Sequence, residues 1–184
     1  GMQSLIEGFQ KQMEKDMEQL GANVFQVQKY PIMMGRGDHE RYRNRKDITM
    51  VESDAIAKYC PAVSRVGPED WHFGVVVKYK GRKTSPANWL AGGVPAFFPN
   101  NGYYISEGRP LTDVDVEHNR HVAVLGMDVV DELFPFQSPL GESVTVDGHR
   151  YEVVGIIEEL GSAFGQSEDN RVAIPLSTFQ KYYG

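Results

Sequence analysis

His118 and His121 stand three residues apart, a spacing that ligates zinc when both imidazoles share one face of a helix. Val122-Ala123-Val124-Leu125 continues from His121 as an apolar, β-branched run. His121 is therefore expected to open a strand, where positions i and i+3 point to opposite faces. His39, His72 and His149 are isolated along the chain. Carboxylates pair at Asp113/Asp115, Glu158/Glu159 and Glu168/Asp169. General acid–base work needs two carboxyls with separated pKa values in one cleft, and sequence neighbours alone do not supply that. The pairs read as solvated loop edges. Ser162, in Gly161-Ser162-Ala163-Phe164-Gly165, comes one place too early for a G-x-S-x-G nucleophile elbow. No G-x-x-x-x-G-K-[ST] loop is present to cradle phosphates. These residues assign no catalytic, cofactor-binding or metal site, and the chain is expected to be neither an ATPase nor any other enzyme.

Composition narrows the remaining classes. A net charge of −6 and a pI near 5.4 lack the basic footprint of a nucleic-acid binder. Cys60 is the only cysteine, which excludes an internal disulfide and a cysteine zinc cage. No run of about 18 apolar residues exists to span a bilayer, and the N-terminus lacks the basic and apolar regions of a signal peptide. Gly1 before Met2 reads as a protease scar, and the helical pattern begins without a cap, so the expectation is an excised fragment. Two features fit binding rather than reaction. Arg36, Arg41, Arg43, Arg45 and Lys46 form a basic loop on an acidic chain. It is either a solvated loop or a docking site for an acidic surface or anionic lipid headgroups. The middle segment is rich in aromatics, with Trp71, Trp89, Phe97, Phe98, Tyr103 and Tyr104. Core packing accounts for most of them, and an exposed subset would dock a partner. The candidate docking residues are Arg41, Arg43, Arg45, Trp89, Phe97 and Phe98.

The elements that must position these residues follow from periodicity. Leu5, Ile6, Phe9, Met13, Met17 and Leu20 recur at steps of three and four, the stripe of an amphipathic helix over residues 4–20. Gly21 fits the left-handed residue that ends it. Val24, Phe25 and Val27 predict a strand over residues 23–30, stopped by Pro31. Residues 32–47 have no apolar period and read as loop. Thr49 and Glu52 have capping-box spacing for a second helix that ends at Tyr59-Cys60 before Pro61. Residues 73–80 predict a strand, and residues 89–94 form an apolar run broken by Gly92-Gly93. Asn100-Asn101-Gly102 is a turn. The last third predicts a strand at 121–125, a short helix ending at Leu133-Phe134, and a hairpin at Asp147-Gly148. A strand closing on Ile174-Pro175 completes it.

The order of these blocks resembles the MacB-type periplasmic core domain of ABC transporter permeases, within the FtsX-like permease group. The resemblance rests on Leu20-Gly21-Ala22-Asn23-Val24, on Pro61-Ala62-Val63 with Ala62 where glycine is usual, and on Gly93-Val94-Pro95. It continues through Gly108-Arg109-Pro110-Leu111-Thr112-Asp113-Val114-Asp115, Val122-Ala123-Val124-Leu125-Gly126, Leu133-Phe134, Pro139-Leu140-Gly141, Val153-Val154-Gly155-Ile156 and Ile174-Pro175. Each string is short; nearly the whole chain in order is specific.

The resemblance implies an α+β fold, with a porter-like α/β lobe (residues 1–70 with 165–184) and an inserted, smaller β-rich lobe (71–164), truncated at its C-terminus. It implies an extracytoplasmic, periplasmic domain of an integral membrane permease, attached through flanking membrane segments. The implied partners are a second permease copy in a dimer, a cytoplasmic ATPase and a periplasmic adaptor protein, with no cofactor and no nucleic acid. The implied role is mechanotransmission, coupling ATP hydrolysis to export or extraction of a substrate. The alternatives are a free-standing ligand-binding module, and a hydrolase with a dispersed site.

Overall fold

The computed structural model describes residues 1–20, 24–30, 38–163 and 165–184, with the side chains of residues 12–20 and 39 left aside. The expectations for Gly21, for Arg36 and for Phe164 lie outside the described residues. The chain divides into two compact units, Gly1–Val66 and Gly67–Gly184. This division differs from the lobes expected at 70/71 and 164/165. Residues 171–175 pair between two strands of the second unit's sheet, so the C-terminal segment is part of the same β structure as the middle of the chain.

The first unit is helical. Helix α1 spans Met2–Leu20, and within it Phe9 is buried edge-on against Phe25, with ring centroids 5.0 Å apart. Residues 24–30 are not a strand, contrary to their β-branched composition. A strand needs a neighbouring strand to take its backbone hydrogen bonds, and this segment instead anchors itself through the Phe25 ring. The expected loop contains a short helix, α2 (Asp38–Arg43), with Asp38 and Glu40 in its first turn and Arg41 and Arg43 in its last. That charge order complements the helix dipole. Helix α3 (Met50–Tyr59) opens on the expected capping box: Val51 N–H donates to the Thr49 hydroxyl, and Glu52 accepts from Thr49 N–H at 2.8 Å.

The second unit is one curled nine-stranded sheet carrying helices. Its strands are β1 (Asp70–Val75), β2 (Val77–Tyr79), β3 (Arg82–Lys83), β4 (Asn88–Gly93), β5 (Ile105–Gly108), β6 (Val122–Leu125), β7 (Ser143–Val146), β8 (His149–Ile157) and, later in the chain, β11 (Arg171–Pro175). A separate two-stranded hairpin holds β9 (Ser162–Ala163) and β10 (Gln166–Ser167). Strand order is β1-β4-β11-β6-β8-β7-β2-β3, with β5 also on β8. The expected single strand over 73–80 is therefore two strands, one at the end of this order and the other last but one at the opposite side, separated only by Val76. Two residues of extended chain reach about 7 Å, so the sheet must curl until its ends meet. Gly74, with φ +95°, supplies the bend just before the break.

Alternation along the central strands places side chains in two cores. Leu90, Ala123, Leu125, Val172 and Ile174 enter one core with helix α6 (Met127–Leu133), Phe134 and Phe179. Ala91, Val122, Val124 and Ala173 enter the other with Leu111, Tyr103 and the short helix α4 (Phe97–Asn100). Gly92 and Gly93 on β4 are required by this two-sided packing. A Cβ on Gly92 would meet Phe179 of helix α7 (Leu176–Tyr183) at 2.5 Å, and one on Gly93 would meet Phe97 at 2.8 Å. On either side of β4, the first residue of β1 and the last residue of β11 lie beside this glycine pair, as Asp70↔Gly92 and Pro175↔Gly93. The β7–β8 hairpin turns at Asp147 (φ 49°) and Gly148 (φ 79°), as its sequence predicts.

Candidate docking surfaces

The carboxylates expected at loop edges include two that are buried. Asp115, on helix α5 (Asp113–Glu117), is fully enclosed. It accepts from Arg109 at 2.7 and 3.2 Å, from Thr112 N–H at 2.9 Å and from the Thr112 hydroxyl at 3.0 Å, with Arg120 at 3.7 Å. Burial alone would raise its pKa, but the Arg109 and Thr112 hydrogen bonds outweigh that and hold the carboxyl below its ordinary value. Asp169 is buried too and accepts from Leu160 N–H and Gly161 N–H at 2.7 and 3.0 Å, which closes the base of the β9–β10 hairpin. Both carboxylates brace backbone, and each is satisfied by donors from its own surroundings. Asp113, Glu158 and Glu159 are exposed, and so is Ser162.

The histidines whose side chains are described, His72, His118, His121 and His149, are likewise committed to protein partners; the His39 side chain lies outside the described residues. His118 Nδ1 lies 3.0 Å from the Val114 carbonyl. His121 Nδ1 lies 3.1 Å from the Arg150 carbonyl, so it carries the proton there, and its Nε2 is 2.8 Å from the Tyr182 hydroxyl. His72 and His149, isolated in sequence, are not isolated in space: His149 stacks on Tyr182 of α7, and His72 lies tilted against Tyr183 with ring centroids 4.8 Å apart. Tyr183 also donates to Asp147, while burial raises the Tyr151 hydroxyl beneath this cluster to about 12. Among the described residues, no group of three or more His, Cys, Asp or Glu is placed to hold a metal ion.

The candidate docking aromatics separate by depth. Phe97 and Phe98 are in the core, at 0% and 3% exposure, and so are not available to a partner. Their neighbours explain this: Phe97 contacts Trp71, Phe98 and Tyr103 with centroids 5.6, 5.3 and 5.3 Å away. Trp89 is 38% exposed, beside Phe73 at 4.7 Å. Phe73 sits opposite Trp89 in the β1–β4 register and is 54% exposed. Sequence reasoning placed Phe73 in a strand and missed it as surface; only its cross-strand partner reveals the exposed aromatic pair. Arg171 braces this end of the sheet, with its guanidinium near the rings of Trp71 and Tyr103 and bonded to the Tyr103 hydroxyl and to Glu168.

The candidate docking arginines lie in the first unit. Arg41 and Arg43 close α2, and Arg45 follows it with its guanidinium 4.3 Å from the centre of the Tyr42 ring. All three are exposed. Among the described residues the ion pairs of this segment are Lys29–Asp47 and Lys46–Glu52, which leave the three arginines without carboxylate partners. The Glu52 carboxyl is pulled down to about 2 by the Thr49 side chain first, then by Thr49 N–H and Lys46. An apolar cleft of about 640 Å³ runs between α1 and α3, with Arg45 and Glu52 among its walls.

Comparison with known proteins sets these surfaces in context. The family model for the MacB-like periplasmic core domain matches residues 1–184. A macrolide export ATP-binding/permease protein MacB of Bdellovibrio bacteriovorus is 26% identical over 181 residues, covering 97% of this chain and 27% of the relative. A pyoverdine export ATP-binding/permease protein, PvdT of Pseudomonas aeruginosa, is 29% identical over 180 residues, covering 96% and 25%. The chain thus spans about a quarter of the length of these curated relatives. In fold it is similar to the periplasmic region of MacB from Actinobacillus actinomycetemcomitans, with TM-score 0.67, 20% identity and coverage of 80% of this chain and 64% of that one. It is also similar to the extracellular domain of the ABC-type transporter YknZ from Gram-positive bacteria, with TM-score 0.58, 22% identity and coverage of 69% and 62%.

Proposed function

Since this chain belongs to the MacB-like periplasmic core domain family, we propose that it is the extracytoplasmic, non-enzymatic domain of an ABC-type export permease, and that it couples ATP hydrolysis on the cytoplasmic side to movement of a substrate. The observation that carries this reading is the family match over all 184 residues, joined to relatives named as export ATP-binding/permease proteins. The partners of the reading are a second permease copy, an ATPase and a periplasmic adaptor. Among the described residues no helix is long and apolar enough to cross a membrane, so on this reading the membrane spans belong to the parent protein.

The coupling element is α1. Nineteen helical residues extend about 28 Å, and a hydrogen-bonded helix transmits axial displacement with little give. The movement is taken up by the unit through Phe9, wedged against Phe25. Insertion of four glycines ahead of Met2 in the full-length permease is expected to abolish transport while ATP hydrolysis continues. Transport at the unmodified rate would overturn the lever.

A further inference from the structure

The α1–α3 cleft has the size at which proteins enclose small ligands, roughly 300–1,000 Å³, and its walls are apolar, including Leu5, Ile6, Phe9, Val27, Ile48 and Ile56. The charged residues among the described ones in its walls are Arg45 and Glu52, and their situations are opposite. Glu52 is fully occupied, accepting from Thr49 N–H at 2.8 Å and from Lys46 at 3.1 Å, so its charge is offset locally. Arg45 is exposed and has no carboxylate partner among the described residues; its guanidinium rests on the Tyr42 ring. Arg41 and Arg43, which likewise have no carboxylate partner among the described residues, precede it on α2, whose first turn carries Asp38 and Glu40. An apolar cleft whose carboxylate is already paired with Lys46, and whose one remaining described charged wall residue is Arg45, is complementary to one kind of molecule.

We infer that the cleft binds a single-chain anionic amphiphile, with its hydrocarbon tail between α1 and α3 and its headgroup on Arg45. The occupant enters from solution as a free molecule. A cationic amphiphile would meet Arg45 at the cleft's edge and is disfavoured; a neutral one loses the headgroup contact. Tail length contributes through buried methylenes, so two fewer carbons weaken binding roughly tenfold. The inference stands on the first unit alone and does not depend on the transport reading.

Cys60, the only thiol, is buried in the cleft wall and reports on occupancy. The test is the rate of Cys60 alkylation by N-ethylmaleimide in the 184-residue chain, titrated with dodecanoate, decanoate and dodecyltrimethylammonium below their micelle concentrations. Circular dichroism controls for unfolding. Dodecanoate is expected to slow alkylation at least tenfold, at about a tenth of the concentration that decanoate needs and with little effect from the cationic analogue. Arg45→Glu, at an exposed position outside both helices, should reverse the headgroup preference, and Ile56→Trp should fill the cleft and remove protection. Equal protection by anionic and cationic chains, or an unchanged preference in R45E, would overturn the headgroup assignment. Absence of protection together with cosedimentation on phosphatidylglycerol vesicles would make the segment a membrane-docking surface instead.

Discussion

Asp115 shows how a residue in a pattern suggestive of chemistry serves structure. In sequence it is one of two neighbouring acids; in the fold it is enclosed and ties Arg109, Thr112 and Arg120 together. Asp115→Asn should lower the unfolding free energy by about 2–3 kcal/mol, below the usual cost of breaking a buried pair because Arg109 keeps contact with water. The depressed folded pKa sets the sign with pH. The carboxylate's contribution is present above the unfolded value of about 3.9 and is lost as pH falls through the folded value. Urea midpoints of the two proteins should therefore differ at pH 7, begin to converge only below about pH 4, and meet once pH has fallen below the folded value. The burial was not legible in the sequence, since a Thr-x-x-Asp box specifies a cap whether or not it is exposed. Arg109 and Arg120 reach Asp115 only because β5, β6 and α5 meet.

At the scale of elements, local rules were legible wherever the chemistry is local. The Thr49/Glu52 box, the Asp147-Gly148 turn, α6 and the strand ending at Pro175 all form where short-range spacing places them. What failed depended on distant partners: residues 24–30 have no strand neighbour among the described residues, and residues 70–79 divide between one end of the sheet and the last strand but one at the other. Phe97 and Phe98 were open to either fate, because aromatics at an interface and in a core look alike in sequence. Gly155 is a demanding position in the strands: a Cβ there would meet the Arg109 carbonyl oxygen at 2.1 Å. Gly155→Ala is expected to cost about 2–3 kcal/mol through displacement of the backbone after β5 from β8. Gly81→Ala, in open space, should be neutral within about 0.5 kcal/mol. Thermal unfolding of the two variants checks both.

At the scale of the molecule, the two units are unequal in their means of stability. All nine paired strands of the main sheet and both apolar cores belong to residues 67–184. Among the described residues of the first unit, the buried apolar side chains are Phe9, Ala55 and Cys60. Residues 67–184 alone are therefore expected to fold cooperatively, with a strand-rich circular dichroism spectrum and a sigmoidal urea transition. Residues 1–66 alone should melt without cooperativity, since helices of this length gain most of their stability from packing. A non-cooperative transition for 67–184 would show that the sheet requires the first unit. The family resemblance was legible from ordered short strings, while the boundary between the units was not, because it follows from which strands β11 joins.

The glycine pair on β4 has a mechanical consequence. Asp70, where the chain comes into the sheet, and Pro175, where it leaves, flank the same end of one strand, about two interstrand spacings, or 10 Å, apart. A tension pulling those two points away from each other would peel rungs one after another, the weak, zipper-like mode of rupture. A thrust delivered to both together loads no rung in sequence and carries the sheet as a rigid piston. Optical-tweezer handles at residues 70 and 175 should accordingly open the sheet at far lower force than handles at residues 70 and 88, which draw β1 and β4 past one another in shear.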